Sequence, residues 1–393
     1  MDDCKVVLNT GLRGVKIADT RISDVNGDAG RLIYRGYLIQ DLAANATFEE
    51  VAYLLLYEKL PSQRELQKFK ERLIPERGLP PEMTAALKTR PFHALPMDIL
   101  QSAISMLAHH DPEITDTSRE SALRKAERLI AKIPTIIAAW HQIRHHREPI
   151  SPNPSLDHAA NFLHMLTGVR PDPETARFMD VCLVLHAEHS FNASTFAARE
   201  VASTRAHIYA AVSAAAGSLS GELHGGANAR VMEMLLKIGT PDAVDSYVQT
   251  ELNAGRKIMG LGHAVYNVDD PRAFILAPMS QIMGQKIGDT RWYDISKLLE
   301  ASAKAAFNQR KGMDIVVNVD FYSASLYYAM GIPIDLFTPV FAASRVAGWT
   351  AHVIEEQYGG ASAKPVLYRP ESEYTGDYCG PNTCAFVPVA QRG

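Results

Sequence analysis

The stretch NFLHMLTG at residues 161–168 shows the pattern that decides the fold. Its apolar residues Phe162, Met165 and Leu166 lie three and four positions apart, which places them on one face of a helix. The glycine that follows is a common helix end. The same spacing of apolar residues recurs at residues 49–57, 100–107 and 321–331. The sequence therefore predicts an all-α fold.

The N-terminal region departs from this helical pattern. Asn26-Gly27-Asp28 is typical of a tight turn, and the segment RLIYRGY at residues 31–37 is typical of a β-strand. We therefore expect one minor N-terminal β hairpin. The apolar runs at residues 181–185 and 315–319 fit either a buried strand or a buried helix, and their periodicity leaves both open.

Length and charge limit the kind of protein. The chain has 393 residues, and since one hydrophobic core stops growing near ~250–300 residues, we expect two domains. It carries 40 Lys and Arg residues against 44 Asp and Glu residues, so its formal charge of −4 predicts no nucleic-acid partner. The sequence has no run of about 18 apolar residues and no signal-peptide pattern at its acidic start, so we expect a cytoplasmic protein without a membrane partner.

Cysteine and histidine spacing predicts neither a disulfide framework nor a metal site. The four cysteines, at positions 4, 182, 379 and 384, are too few for such a framework in a chain of this length. Cys379 and Cys384 could form a local disulfide or a redox pair, although two free thiols fit a reducing compartment better. His186 and His189 lack the His-Glu-x-x-His spacing of a zinc protease.

Three histidines lie in segments suited to proton transfer. These are His189 in HAEHSFNAST (186–195), His224 in GELHGGAN (221–228) and His263 in GLGHAVY (260–266). The glycines beside His224 and His263 remove side-chain bulk, so a ligand could approach either imidazole closely. Histidine also changes charge near neutral pH. The three residues are therefore either acid–base groups or core histidines near tight turns.

Asp320 and three arginines complete the candidate groups. Asp320 follows an apolar run and precedes a helical segment, so it is either a helix N-cap or a general base with a raised pKa. Arg272, Arg345 and Arg369 stand among apolar or small residues. Each guanidinium either pairs with an acidic side chain or binds a ligand carboxylate through its planar fork.

Together these segments resemble the citrate synthase family. The segments around His189, His224, His263 and Asp320 occur in that family's order, and NVDFYS at residues 318–323 is a close match. Further matches are RLIYRGY at 31–37, NFLHML at 161–166, GIPIDLFTP at 331–339, Ser344-Arg345 and Gly348-Trp349. The resemblance extends from about residue 11 to residue 392.

The resemblance implies an almost wholly helical homodimer with two domains in each chain. A large domain would comprise residues 1–224 and 326–393, and a small domain, residues 225–325, would cover the cleft. The implied reaction is condensation of acetyl-coenzyme A with oxaloacetate to give citrate and free coenzyme A, as in the tricarboxylic acid cycle. This acyl transfer needs no metal or other cofactor.

The resemblance also implies a role for each site residue. His224 would donate a hydrogen bond to the thioester carbonyl oxygen, Asp320 would take a proton from the acetyl methyl group, and His263 would polarise the ketone of oxaloacetate. Oxaloacetate would be held by His189, Arg272, Arg345 and the partner subunit's Arg369. Coenzyme A would contact Lys257, Ile258, Leu261, Gly262, Lys311 and Asn318.

The sequence departs from the family pattern at positions that bear on the affinity for coenzyme A and on the preferred acyl chain. The chain has Glu222 where many relatives have Pro, Ala264 and Asn267 where basic residues are common, His207 in place of an acidic residue, and Glu188 in place of Asp. Two alternatives therefore stay open, namely 2-methylcitrate synthesis from propionyl-coenzyme A and a catalytically inactive helical binding protein. The presence of the whole proposed catalytic set argues against the inactive protein.

Overall fold

The structure, a computed structural model, describes residues 11–12, 14–263, 265–359, 366–376 and 387–392. These residues contain sixteen α-helices and one three-stranded β-sheet, which confirms the predicted all-α fold with a minor N-terminal β element. None of the described helices combines the length and the apolar character needed to cross a membrane. Cys379 and Cys384 lie outside the described residues.

The secondary-structure elements have the following bounds. The strands are β1 Ser23–Asn26, β2 Arg31–Tyr34 and β3 Tyr37–Leu38. The first eight helices are α1 Ile39–Asn45, α2 Phe48–Tyr57, α3 Gln63–Glu76, α4 Pro81–Lys88, α5 Pro96–Leu107, α6 Arg119–Arg144, α7 His158–Thr167 and α8 Pro173–His186. The next eight are α9 Ala193–Ser203, α10 Ile208–Leu219, α11 Ala227–Ile238, α12 Val244–Asn253, α13 Pro271–Ile287, α14 Arg291–Lys311, α15 Val319–Ala329 and α16 Phe337–Tyr358.

The predicted hairpin forms the greater part of the sheet. Strands β1 and β2 pair antiparallel, with Ser23 opposite Tyr34 and Asn26 opposite Arg31. The short strand β3 adds to β2 as a third antiparallel strand, which the sequence pattern did not predict. The turn between β1 and β2 therefore lies at the opposite end of β2 from β3.

Local sequence explains where the helices end and which apolar runs are helical. Helix α7 ends as predicted at Gly168, whose φ of +79° belongs to the left-handed region that glycine adopts without strain. The run at residues 181–185 lies inside helix α8. In the run at residues 315–319, Val317 forms an isolated antiparallel bridge with Leu261, and helix α15 begins at Val319.

Helix packing places the core around α16. This helix is buried from Phe337 to Glu356 and packs against α2, α6, α8, α9 and α10. Helices α11–α15 pack mainly on one another, with α13 against α15 and α12 against α14. The small residues of α10 allow close contact with α5 and α9, and Ser105 Oγ lies 2.8 Å from Ser213 Oγ across that contact. Helix α16 carries Arg345, and helices α13 and α15 carry Arg272 and Asp320.

Candidate active site

His224 lies in the turn that precedes α11. The backbone N–H of Ser194 donates to His224 Nε2 at 3.1 Å, and Ser194 Oγ lies 2.8 Å from the same nitrogen. Because Nε2 accepts, the proton of the neutral ring resides on Nδ1. Burial lowers the pKa of His224 to about 4, with a smaller effect from Arg345. His224 is therefore a neutral hydrogen-bond donor at Nδ1 under ordinary conditions.

Ser194 fixes the orientation of that imidazole. Its hydroxyl donates to Asn192 Oδ1 at 2.8 Å and accepts from Trp349 Nε1 at 3.1 Å. Asn192 is the N-cap of α9 and Trp349 lies in the buried helix α16. The His224 ring is thus positioned by two helices of the core. Sequence reasoning missed Ser194, since a serine in a helix start carries no signal of a catalytic role.

His263 has the opposite tautomer. Its Nδ1 accepts from the backbone N–H groups of Val265 at 2.9 Å and Tyr266 at 3.0 Å, so the proton of the neutral ring resides on Nε2. Burial, with a smaller effect from the nearby charge of Arg272, lowers the pKa of His263 to about 4. His263 can therefore donate a hydrogen bond from Nε2 and transfer that proton to an oxyanion.

His189 lies beside His263. The centroids of the two rings are 5.6 Å apart, and His189 Nε2 lies 3.3 Å from the hydroxyl oxygen of Tyr266. Burial, then the positive charges of Arg272 and Arg345, hold the pKa of His189 well below its usual range. The ring is therefore neutral. Tyr266, which follows His263 by three residues, is a site residue that sequence reasoning missed.

Asp320 is the second residue of α15, and its N-cap interpretation is wrong. The N-cap is Asn318, whose Oδ1 accepts from the backbone N–H of Asp320 at 3.1 Å. The Asp320 carboxylate has no hydrogen-bond partner among the residues that the structure describes. Burial raises its pKa to about 7, against the opposing charge of Arg272. A carboxyl group with this pKa suits a general base at neutral pH.

Arg345 presents an unpaired buried guanidinium. It lies in α16 and is 1% exposed, and its Nε donates to the backbone carbonyl of His186 at 2.6 Å. Neither Nη group has a hydrogen-bond partner among the described residues. Burial lowers the pKa of Arg345 to about 10, so the charge is poorly compensated in the free protein. A buried fork of this kind is a receptor for a carboxylate.

Arg272 and Arg369 differ from that arrangement. Arg272 is buried, and its Nε and Nη2 bind Asp270 Oδ1 and Oδ2 at 2.9 and 2.7 Å. Only its Nη1 group lacks a hydrogen-bond partner among the described residues. Arg369 is exposed, and no hydrogen bond or ion pair joins it to the described part of the chain. The structure therefore brings Arg272 and Arg345 into one charged environment with His189 and leaves Arg369 outside it.

A groove of about 720 Å³ opens beside His263. It is lined by Leu223, Leu252, Gly255, Arg256, Lys257, Ile258, Leu261, Gly262, His263, Phe307, Arg310 and Ile315. Four predicted coenzyme A contacts, Lys257, Ile258, Leu261 and Gly262, are therefore brought together. Asn318 adjoins them, since its Nδ2 donates to the carbonyl of Gly262 at 3.1 Å. Lys311 ends α14, and its side chain lies outside what the structure describes.

Sequence reasoning missed three notable residues of this groove. Leu223 is 96% exposed and directly precedes His224, so it is available to an apolar chain of a ligand. Arg256 and Arg310 each stand next to a predicted lysine contact in the sequence, and that adjacency was the signal that could have found them. Among the described residues, no group of three His, Cys, Asp or Glu side chains could hold a metal ion.

The fold and these groups define an α-helical protein whose clustered side chains suit acid–base chemistry on a carboxylate-bearing ligand. The sequence model described as "Citrate synthase, C-terminal domain" matches residues 11–371. The chain therefore belongs to the citrate synthase family, whose members are acyltransferases that condense an acyl-coenzyme A with oxaloacetate.

Three known proteins illustrate the similarity. Citrate synthase of Haloferax volcanii is 43% identical over 98% of this chain and 99% of its own length. The 2-methylcitrate synthase of Shewanella oneidensis is 40% identical over 100% of both chains. A solved ternary complex of carboxymethyl coenzyme A and oxaloacetate with citrate synthase from Thermoplasma acidophilum has a TM-score of 0.88 and 30% identity, and covers 96% of this chain and 98% of its own.

Proposed function

We propose that this enzyme condenses acetyl-coenzyme A with oxaloacetate and hydrolyses the resulting thioester to citrate and free coenzyme A. The observation that carries the proposal is the pair of opposite histidine tautomers, together with a carboxyl group of raised pKa that shares the charges of Arg272 and Arg345 with them. In such a set, the carboxylate can remove a weakly acidic proton and a histidine can protonate a new alkoxide. Neither histidine needs to be charged beforehand. The Thermoplasma acidophilum enzyme, which binds oxaloacetate and a coenzyme A analogue, supports the choice of ligands.

The first step is formation of an enolate. Asp320 takes a proton from the acetyl methyl group, and the electron pair of that C–H bond becomes the C=C bond of the enolate. His224 donates its Nδ1–H to the thioester oxygen on which the negative charge develops. One donor of this kind contributes about 3–4 kcal/mol, and a positioned base adds about 10²–10⁴-fold. Since the pKa of His224 is about 4, the ring is neutral at pH 7 and donates its Nδ1 proton to the thioester oxygen as a hydrogen bond.

The second step joins the two substrates. The enolate carbon attacks the ketone carbon of oxaloacetate, the C=O π electrons move to oxygen, and His263 transfers its Nε2 proton to that oxygen. Arg345 binds one carboxylate of oxaloacetate, and His189 and the free Nη1 of Arg272 add donors beside it. The partner subunit's Arg369 completes the set. Water then adds to the thioester carbonyl, the C–S bond breaks, and coenzyme A leaves as the thiol.

Domain organisation and assembly form part of the same proposal. Residues 1–224 and 326–393 form the large domain and residues 225–325 the small domain, with the reaction in the cleft between them. The mutual packing of α11–α15 supports this division. A homodimer brings Arg369 to the second site, which agrees with the exposure of that residue. The enzyme acts in the cytoplasm.

Propionyl-coenzyme A is the second candidate acyl donor. The full-length similarity to the 2-methylcitrate synthase of Shewanella oneidensis favours it. The two donors differ by one methylene group, which a hydrophobic pocket discriminates by only about 1–3 kcal/mol. A helical binding protein without activity is disfavoured because an inert site gains nothing from an uncompensated buried guanidinium and an unpaired carboxyl group of raised pKa.

Release of free thiol with oxaloacetate tests the proposal. The values of kcat/KM for acetyl- and propionyl-coenzyme A are compared on one preparation, with omission of oxaloacetate as the control. We expect a preference for acetyl-coenzyme A. A preference for propionyl-coenzyme A would assign the methylcitrate reaction instead, and no release with either donor would refute the proposal.

The pH dependence of kcat/KM should report the ionisation of Asp320. The base acts only when ionised, and its pKa is raised to about 7, so activity should rise tenfold per pH unit below that value and level off above it. His224 and His263, with pKa values of about 4, should add no further step between pH 5 and 7. A flat profile from pH 5.5 to 8, measured by thiol release at saturating oxaloacetate, would contradict the role of Asp320.

A further inference from the structure

We propose that the N-terminal β-sheet is a positioning element of the active site that fixes His189 and His263 relative to each other. The sheet binds the turn that carries His189 at one end and the loop that follows His263 at the other. The inference rests on the proposed function, in which both histidines contact oxaloacetate. It assigns a role in binding and turnover to Ser23, Gly27, Asp28, Tyr34 and Asn267, which lie outside the reacting groups.

The His189 turn is bound by one residue from each of two strands. Tyr34 of β2 donates its hydroxyl proton to the carbonyl of Glu188 at 2.8 Å and accepts the Glu188 N–H at 3.2 Å. Ser23 of β1 accepts the N–H of Ser190 at 3.0 Å and donates to Glu188 Oε1 at 2.8 Å. The backbone is therefore held on both sides of His189. Ser190 has a φ of +51°, a conformation that a residue with a Cβ adopts only at a cost.

A buried hydrogen-bond chain supports the same turn from the side of α16. His352 Nε2 donates to Glu188 Oε1 at 3.0 Å, and both side chains are fully buried. His352 Nδ1 in turn accepts from Arg199 Nη1 at 3.0 Å, and Arg199 pairs with Glu355 at 2.8 Å. Glu188 is thus the point at which the sheet and the core helix meet. A strained turn held from two directions presents its histidine in one orientation.

The opposite end of the sheet contacts the His263 loop. The carbonyl of Gly27 accepts the N–H of Asn267 at 3.1 Å, and Asp28 Oδ1 accepts Asn267 Nδ2 at 2.6 Å. Gly27 approaches so closely that a Cβ at this position would lie 2.0 Å from the carbonyl oxygen of Val265. Only glycine fits this contact, because the atom that a side chain would meet belongs to the backbone.

The same loop backbone determines the tautomer of His263. The N–H groups of Val265 and Tyr266 donate to His263 Nδ1, while the adjacent atoms of the loop contact the hairpin turn. A shift of the loop would therefore rotate the imidazole whose Nε2 faces the substrate. Tyr266 also reaches the other histidine, since its hydroxyl lies 3.3 Å from His189 Nε2. One small rigid sheet thus links two histidines that are far apart in the sequence.

Gly27→Ala tests the contact directly. A misplacement of about 1 Å can cost ~10²-fold in rate, so we expect kcat/KM for oxaloacetate to fall at least about tenfold. The dissociation constant of oxaloacetate, measured by calorimetry, should rise with it. The pH midpoint near 7 should stay unchanged, because the charges that act on Asp320 are those of Arg272, Asp270 and Arg345, none of which belongs to the hairpin. Loss of folded protein alone would lower the measured rate but would leave the oxaloacetate dissociation constant of the remaining folded enzyme unchanged.

Asp28→Ala, Asn267→Ala and the double variant extend the test without steric conflict. Because the two side chains share one hydrogen bond, we expect each single change to weaken oxaloacetate binding about fivefold and the double change to add little more. Asp24→Ala is the matched control, since Asp24 lies in β1 but its carboxylate, within the described part of the chain, pairs only with Arg31 on the surface at 3.6 Å. It should bind oxaloacetate within about twofold of the wild type.

The outcomes separate this inference from the proposed function. Weaker oxaloacetate binding in the Gly27, Asp28 and Asn267 variants, with the Asp24 variant unchanged, would support the inference even if thiol release failed with every donor. Oxaloacetate binding within twofold of the wild type in the Asp28 and Asn267 variants would overturn it, whether or not Gly27→Ala folds. Equal losses in these variants and in the Asp24 control would also overturn it, because they would indicate general destabilisation of the sheet.

Discussion

Asp320→Asn should lower kcat by about 10³-fold, within the ~10²–10⁴-fold range of a positioned general base, while oxaloacetate affinity stays within about twofold of the wild type. The amide keeps the size of the carboxyl group but has no basic oxygen able to take the methyl proton. Binding should persist because the proposed carboxylate receptors are His189, Arg272 and Arg345. The measurements are thiol release for kcat and calorimetry for the dissociation constant of oxaloacetate.

The same substitution should remove the pH step near 7. In the wild type that step reflects the raised pKa of Asp320, so the residual activity of the variant should not show it. Asp41→Asn is a suitable control, since Asp41 is an exposed carboxyl group in the first turn of α1 and resembles Asp320 only in helical position. Turnover above about a tenth of the wild-type value would exclude Asp320 as the base, since so small a loss is below the effect of general base catalysis.

The sequence predicted the fold well because the relevant signals are local. The apolar spacing before Gly168 and the turn at residues 26–28 each depend on neighbouring residues, and both are confirmed. The third strand was missed because Tyr37 and Leu38 are too short a segment for a periodic signal. The run at residues 181–185 was ambiguous in sequence and is helical because it continues α8, which is buried against α7 and α16.

The sequence predicted the residue types of the candidate site better than it predicted their geometry. The hydrogen bond from Ser194 to His224 decides which ring nitrogen carries the proton, yet it joins positions 30 residues apart. The choice between Asp320 and Asn318 as N-cap depends on backbone angles that a sequence does not state. The contact of Asp28 with Asn267 spans 239 residues and follows only from the packed fold.

Arg345→Met should weaken oxaloacetate binding by about 10²-fold or more, because loss of a buried charge-pair partner costs about 2–5 kcal/mol. Methionine fills much of the same volume and can keep the contact with the ring of Phe341, over which the guanidinium lies at 4.6 Å. Lysine at this position should recover only part of the affinity, since an ammonium group cannot bind a carboxylate through a planar fork. Calorimetric titration with oxaloacetate measures both variants.

The stability of the ligand-free Arg345→Met variant distinguishes a substrate receptor from a structural ion pair. Burial lowers the pKa of Arg345 to about 10, so the folded state disfavours its charge at every pH below that value. Removal of the charge should therefore leave the Tm of the free enzyme unchanged or raise it, although the bond to the His186 carbonyl is lost. At the same oxaloacetate concentration, the Tm of the wild type should rise more than that of the variant. A large fall in the Tm of the free variant would instead show that Arg345 stabilises the core. A residue kept for substrate binding contributes to stability mainly when substrate is bound.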